Sequence, residues 1–105
     1  MSSYINISHN SHFIVKNLNG TTRHKRSESW INYYYRISGS TRTRCAALGC
    51  SNPVEVGAHV KITDQRRSHP NAWYISPLCR ACNHPSVTEE LALERNTIIV
   101  EATIR

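Results

Sequence analysis

Short apolar runs and polar gaps divide the first third of the chain into a strand, a turn and a helix. Phe13–Lys16 has the composition of a strand, and the Asn19-Gly20 pair that follows is a strong turn signal. Ser27 predicts the N-cap of a helix that extends to Ile37 and ends at Gly39, because serine favours the position before a helix and glycine the position after it.

The predicted helix carries an apolar stripe along one side. Its members recur at helical spacing: Trp30, Ile31, Tyr34 and Ile37. We assign this stripe to the core. Tyr33 and Tyr35 lie outside it, and we expect them either to pack or to stack on nucleic-acid bases.

The second half of the chain predicts a hairpin, a short helix and a closing strand. Two β-branched or aromatic runs, at 54–60 and 72–76, flank a long polar loop and form the hairpin. Ser86–Glu89 matches a capping box and predicts a short helix that carries Leu91 and Leu93. Thr97–Val100 predicts the closing strand. The expected fold class is therefore α+β.

The chain has 105 residues, the usual size of one domain, so we expect one hydrophobic core. Only 39% of the residues are hydrophobic, slightly below the average for globular domains, which predicts a small core that needs additional stabilisation. The first 18 residues contain no apolar run of signal-peptide or membrane-span length. We therefore expect a cytoplasmic protein with no membrane partner.

Positive charge dominates, with 13 lysines and arginines against 7 acidic residues and a net charge of +6. This balance favours acidic partners, nucleic acid first among them, although a solvated basic surface is an equal alternative. The excess is concentrated in residues 1–44 and turns negative from Ser86 onward. The side chains that we assign to nucleic-acid contacts lie in two basic loops: Arg23, Lys25, Arg26, Lys61, Arg66 and Arg67.

The four cysteines occur as two close pairs: Cys45-x4-Cys50 and Cys79-x2-Cys82. In a reducing compartment such pairs are metal ligands more often than disulfides, because each short loop presents two thiolates on one side. Four thiolates close a tetrahedral shell around Zn²⁺ and leave no position for water, so we expect a structural zinc. The alternatives are free buried cysteines, a redox pair, or replacement of one thiolate by His59 or His84.

The residues around the cysteines make this prediction more specific. The hairpin contains VGAHV at 56–60, and WYISPLCRACN follows at 73–83. These segments resemble zinc-stapled HNH endonucleases of the ββα-metal class over residues 45–95, about half of the chain. The resemblance implies a small treble-clef zinc finger with a ββα core, to which residues 1–44 add a basic strand and helix and 96–105 a closing strand.

The same resemblance implies a catalytic site that is only partly present. In the family, a histidine in the first hairpin strand deprotonates the attacking water, and a divalent ion such as Mg²⁺ polarises the phosphate. His59 matches that base. The family's metal ligands correspond to Ala58, which cannot ligate, and Asn83, which offers one amide oxygen, so a working site would also need Asp64 or His84. The pattern favours a scaffold that has lost nuclease activity.

Three functions are compatible with these residues. The first, which we favour, is a zinc-stabilised HNH-like protein that binds nucleic acid, DNA rather than RNA, with weak catalysis or none. The second is a metal-dependent HNH nicking endonuclease with His59 as general base. The third is a small protein-interaction module, such as a phage-type inhibitor of an acidic or nucleic-acid-binding protein. The segment 15–21 and the Gly57-Ala58-His59 motif also resemble small uncharacterised bacterial and phage proteins.

Overall fold

The computed structural model describes residues 6–7, 14–18, 29–63, 73–84 and 86–102. Within these residues the chain is α+β, with two helices and six strands: β1 (Asn6–Ile7), β2 (Ile14–Asn17), α1 (Trp30–Ser38), β3 (Val56–Ile62), β4 (Trp73–Leu78), α2 (Arg80–Asn83), β5 (Leu91–Ala92) and β6 (Ile99–Ala102). Outside the described residues lie the predicted Asn19-Gly20 turn and five of the six residues assigned to nucleic-acid contacts: Arg23, Lys25, Arg26, Arg66 and Arg67.

The six described strands form one antiparallel sheet in the order β1-β6-β4-β3-β2-β5. The predicted hairpin is confirmed, since β3 and β4 are neighbours with His59 opposite Ile75. The predicted closing strand is also confirmed as β6, which begins two residues later than expected and pairs with β4 and β1. The sheet therefore contains strands from each of the three expected segments, 1–44, 45–95 and 96–105.

Side chains of β3 alternate between two faces of the sheet that are covered differently. Ala58 belongs to a core that includes the cysteines Cys45 and Cys79, and we call this side the cysteine face. On the other side, Ile75 and Val100 pack against α1, and we call this side the helix face. The β3 residues that alternate with Ala58 belong to the helix face: Gly57, His59 and Lys61.

Helix α1 begins at Trp30 and is capped by Ser29 rather than by the predicted Ser27. The Ser29 Oγ accepts a hydrogen bond from the Asn32 N–H at 3.2 Å. Gly39, with a φ of 68°, ends the helix as predicted, in a conformation that favours glycine. Both serines precede the apolar stripe, and Ser27 lies outside the described residues.

The aromatic residues of α1 pack within the protein. Tyr34, in the predicted stripe, is fully buried, and its hydroxyl donates to the Ile98 carbonyl at 2.6 Å. Tyr33 is only 5% exposed, and the Tyr35 hydroxyl donates to the Arg42 carbonyl at 2.6 Å. Between packing and base stacking, the structure therefore shows packing for Tyr33 and Tyr35.

The prediction of a helix that begins at the Ser86–Glu89 capping box is wrong. Residues 86–90 are not helical, and Leu91–Ala92 instead forms β5, which pairs with β2 at the edge of the sheet. The adjoining Leu93 is fully buried. Strand pairing and the burial of Leu93 outweigh the local capping signal, as tertiary context commonly does. The second helix comes earlier, directly after Cys79.

Candidate metal centre

The first cysteine pair lies in a tight loop over residues 45–50. Gly49 has a φ of 82°, in the left-handed region that favours glycine. The Cys50 N–H donates to the Ala47 carbonyl at 3.0 Å and closes the turn. Ala46 and Ala47 are buried, so the loop lies directly against the core of the cysteine face. This turn presents the two thiols of the pair on the same side.

Backbone hydrogen bonds hold this loop from two directions. The Ala46 N–H donates to the Pro77 carbonyl at 2.9 Å, which ties the loop to β4. The Leu48 N–H donates to the Ala92 carbonyl and the Glu94 N–H to the Ala46 carbonyl, both at 2.8 Å, which ties it to the segment around β5. The loop is therefore part of the sheet's hydrogen-bond network.

The second cysteine pair begins where β4 ends. Cys79 is the N-cap of α2, and its Sγ accepts from the Cys82 N–H at 3.4 Å. Asn17 of β2 ties the helix to the cysteine face, because its Nδ2 donates to the Cys82 carbonyl at 2.9 Å. The end of the hairpin and the single turn of α2 therefore place both thiols next to the first loop.

The four cysteine sulfurs form a compact cluster. The Sγ atoms of Cys45, Cys50, Cys79 and Cys82 all lie within 4.8 Å of one another. Cys50 Sγ is 3.9 Å from both Cys79 Sγ and Cys82 Sγ. A disulfide requires about 2.05 Å, whereas a tetrahedral zinc with Zn–S bonds of about 2.3 Å separates its sulfurs by about 3.8 Å. The spacing fits a metal shell, and all four cysteines are free thiols.

The protein environment lowers the pKa of one of these thiols, Cys79. Burial raises the pKa of Cys79, but hydrogen bonds from the Cys82 N–H and from Asn52 Nδ2, the latter at 3.6 Å, outweigh this effect and lower the pKa to about 7. Burial raises the pKa values of Cys45 and Cys82. Because metals bind thiolates, a zinc ion would have to displace protons from these two cysteines.

Two arginines and a glutamate brace the first cysteine loop. Arg42 Nη1 donates to the Arg44 and Cys45 carbonyls at 3.0 and 3.4 Å, and Arg42 Nη2 lies 3.1 Å from Glu94 Oε1. Arg44 Nη2 approaches the same oxygen at 2.6 Å. Burial raises the pKa of Glu94, but the two guanidinium groups outweigh it, so the pKa is lowered. Glu94 thus neutralises part of the basic excess of residues 1–44.

His59 lies on the helix face, away from the cysteine cluster. Its ring centroid is 4.9 Å from that of Trp30 and 4.6 Å from that of Trp73. The residue is only 9% exposed. Asn83 belongs to α2, which is tied to the cysteine face. Of the two residues that the resemblance pairs for catalysis, His59 therefore lies on the helix face, whereas Asn83 belongs to a helix held on the cysteine face.

Gly57 accounts for the first position of the Gly57-Ala58-His59 motif. A Cβ at this position would lie 2.7 Å from the carbonyl carbon of Trp30 and 2.8 Å from the backbone nitrogen of Ile31. The first turn of α1 therefore rests directly on the backbone of β3. In this motif, Gly57 allows the close approach of α1, Ala58 packs on the cysteine face, and His59 packs against Trp30.

The described part of the chain contains one of the six predicted nucleic-acid contacts, Lys61. It is exposed and lies directly opposite Lys16 of β2, which is exposed as well. Sequence reasoning missed Lys16, because the register between β2 and β3 is not a local signal. His84, an alternative zinc ligand, is not in the cluster: its Nδ1 lies 2.9 Å from Ser86 Oγ. Asp64 lies outside the described residues.

Comparison with models of protein families, with curated proteins and with solved structures gave no match. None of the described helices is long and apolar enough to cross a membrane. Because no relative indicates a function, a functional proposal for this chain rests on the positions of its cysteines and basic side chains.

Proposed function

We propose that this chain is a zinc-stabilised nucleic-acid-binding protein, with DNA as its partner and no nuclease activity. Four cysteine thiols whose sulfurs lie within 4.8 Å of one another support the zinc. The order of a cysteine loop, a hairpin and a helix capped by a cysteine supports a treble-clef, HNH-like arrangement. In this proposal the metal joins the 45–50 loop to α2 and stabilises the fold.

The observation that carries the binding proposal is the pairing of Lys16 with Lys61. Like charges directly opposite one another on neighbouring strands repel and lower the stability of the sheet. Neither lysine has an ion-pair partner within the described part of the chain. A phosphate placed between them would relieve the repulsion, and the net charge of +6 would add long-range attraction.

The geometry around His59 supports binding without catalysis. A general base must reach the attacking water, either directly or through one other water molecule. His59 is enclosed by Trp30 and Trp73, on the face opposite to α2. The four-cysteine shell offers no open coordination position for a substrate oxygen. An endonuclease with His59 as general base remains the alternative that a cleavage assay addresses.

Fluorescence anisotropy of labelled DNA with the zinc-loaded protein, measured from low to moderate salt, tests this function. We expect the logarithm of the binding constant to fall linearly with the logarithm of salt, by about 0.7 to 0.9 for each phosphate contact. A binding constant that does not change with salt, or no binding at low salt, would overturn the proposal. A specific protein partner without affinity for DNA would favour an interaction module instead.

A further inference from the structure

A basic and aromatic row crosses three strands on the helix face. Lys16 of β2 lies opposite Lys61 of β3. Val60 lies opposite Tyr74, so the next residues outward in this antiparallel pair, Lys61 and Trp73, are level with each other. Neighbouring strands are about 4.8 Å apart, so the row of Lys16, Lys61 and Trp73 spans about 10 Å.

The three side chains share one face of the sheet. Lys61 is two residues from His59 and Trp73 is two residues from Ile75, and both of these neighbours belong to the helix face. Helix α1 rests on β3 at Gly57, two positions before His59, so the row lies further along the strand than this contact. Lys16 and Lys61 are both exposed.

The Trp73 ring is held in place by contacts with two neighbouring aromatic rings. Its ring lies 4.6 Å from the His59 ring and 5.8 Å from the Trp30 ring, centroid to centroid. The residue nevertheless keeps part of its surface accessible to solvent. A ring already ordered by its neighbours loses little conformational freedom when a ligand stacks on it.

We propose that this row binds single-stranded DNA, with a base stacked on Trp73 and the adjoining phosphates held by Lys16 and Lys61. This inference rests on the proposed nucleic-acid binding and specifies its substrate. Bases in a duplex are stacked on one another and unavailable to a side chain on a sheet, whereas single-strand binding proteins combine basic residues with aromatic platforms. The spacing of the row matches this requirement, because a base and its phosphate are close neighbours along one strand.

The two tryptophans of the chain allow a direct test of the stacking. In Trp30→Phe, the remaining tryptophan fluorescence comes from Trp73 alone. Titration of the zinc-loaded variant with oligodeoxythymidine should quench this fluorescence. The wild-type protein, followed by anisotropy, should bind the single strand about 5- to 160-fold more tightly than a duplex of the same length, the range expected for stacking of one base.

Lys61→Gln and Arg95→Gln form a matched pair of variants, because both remove one exposed positive charge. Lys61→Gln should weaken single-strand binding by about tenfold at low salt and reduce the salt slope by about one. Arg95→Gln, in the turn between β5 and β6, should change binding by less than about twofold.

The outcomes separate the single-strand site from nucleic-acid binding in general. Salt-sensitive binding that is equal for duplex and single strand, or binding without quenching of Trp73, would overturn the single-strand site and leave the proposed function intact. Equal losses in the Lys61 and Arg95 variants would overturn the single-strand site and also the lysine pair on which the proposed function rests. Failure to bind either form of DNA would overturn both. Because the affinity comparison uses the wild-type protein, it does not depend on the folding of Trp30→Phe.

Discussion

Replacement of Gly57 by alanine should push α1 away from the sheet and destabilise the protein. The added methyl carbon would lie 2.7 to 2.9 Å from three backbone atoms of Trp30 and Ile31. Ordinary contacts between carbon atoms lie at about 3.5–4.0 Å, so the helix would have to retreat by about 1 Å. Because the obstacle is backbone rather than a flexible side chain, we expect a loss near the upper end of the about 1–3 kcal/mol that overpacking costs.

Chemical denaturation of the zinc-loaded protein, followed by circular dichroism, measures this loss. Arg95→Gln, at an exposed position in the turn between β5 and β6, is the control and should change the free energy of unfolding by less than about 0.5 kcal/mol. Where the backbone and the space allow it, alanine in place of glycine stabilises a protein by about 0.4–1 kcal/mol. A Gly57→Ala variant with unchanged or increased stability would therefore refute the close approach of α1 to β3.

Two further variants test the surroundings of the metal centre and the absence of catalysis. Glu94→Gln should lower the free energy of unfolding by about 0.5–1 kcal/mol at neutral pH, because it weakens two charge-assisted hydrogen bonds to arginines, one of which is half exposed to solvent. Since the folded-state pKa of Glu94 is lowered, this stabilisation is complete above the carboxyl group's ordinary pKa and is lost as the pH falls through the folded value. Acid titration should therefore bring the wild type and Glu94→Gln together, and a difference independent of pH would contradict the ion pair. In a supercoiled-plasmid assay with Mg²⁺, Mn²⁺ or Ni²⁺, neither the wild type nor His59→Ala should nick DNA; nicking by the wild type that His59→Ala abolishes would establish an enzyme.

Local sequence signals predicted the elements whose own residues determine them. The alternating β-branched runs predicted β3 and β4, and Gly39 predicted the end of α1. The spacing within each cysteine pair predicted ligands that converge, because the geometry of a short loop is set almost entirely by its own residues.

Signals that depend on distant parts of the chain were misread or missed. The capping box at Ser86–Glu89 was outweighed by the pairing of β5 with β2, whose residues lie more than 70 positions away in the sequence. The same limit applies to His59, since no local pattern shows that Trp30 covers its ring. It applies equally to Lys16, which faces Lys61 only because of the register between β2 and β3.

The proposed zinc, held by the four cysteines, is the feature on which the stability of the domain would depend most. Native mass spectrometry of the purified protein, together with thermal unfolding before and after chelation, measures it directly. We predict one zinc per chain, contributing on the order of 10 kcal/mol to folding, and loss of both metal and cooperative unfolding in Cys79→Ser. A metal-free chain that unfolds cooperatively, and that Cys79→Ser leaves equally stable, would contradict a structural zinc.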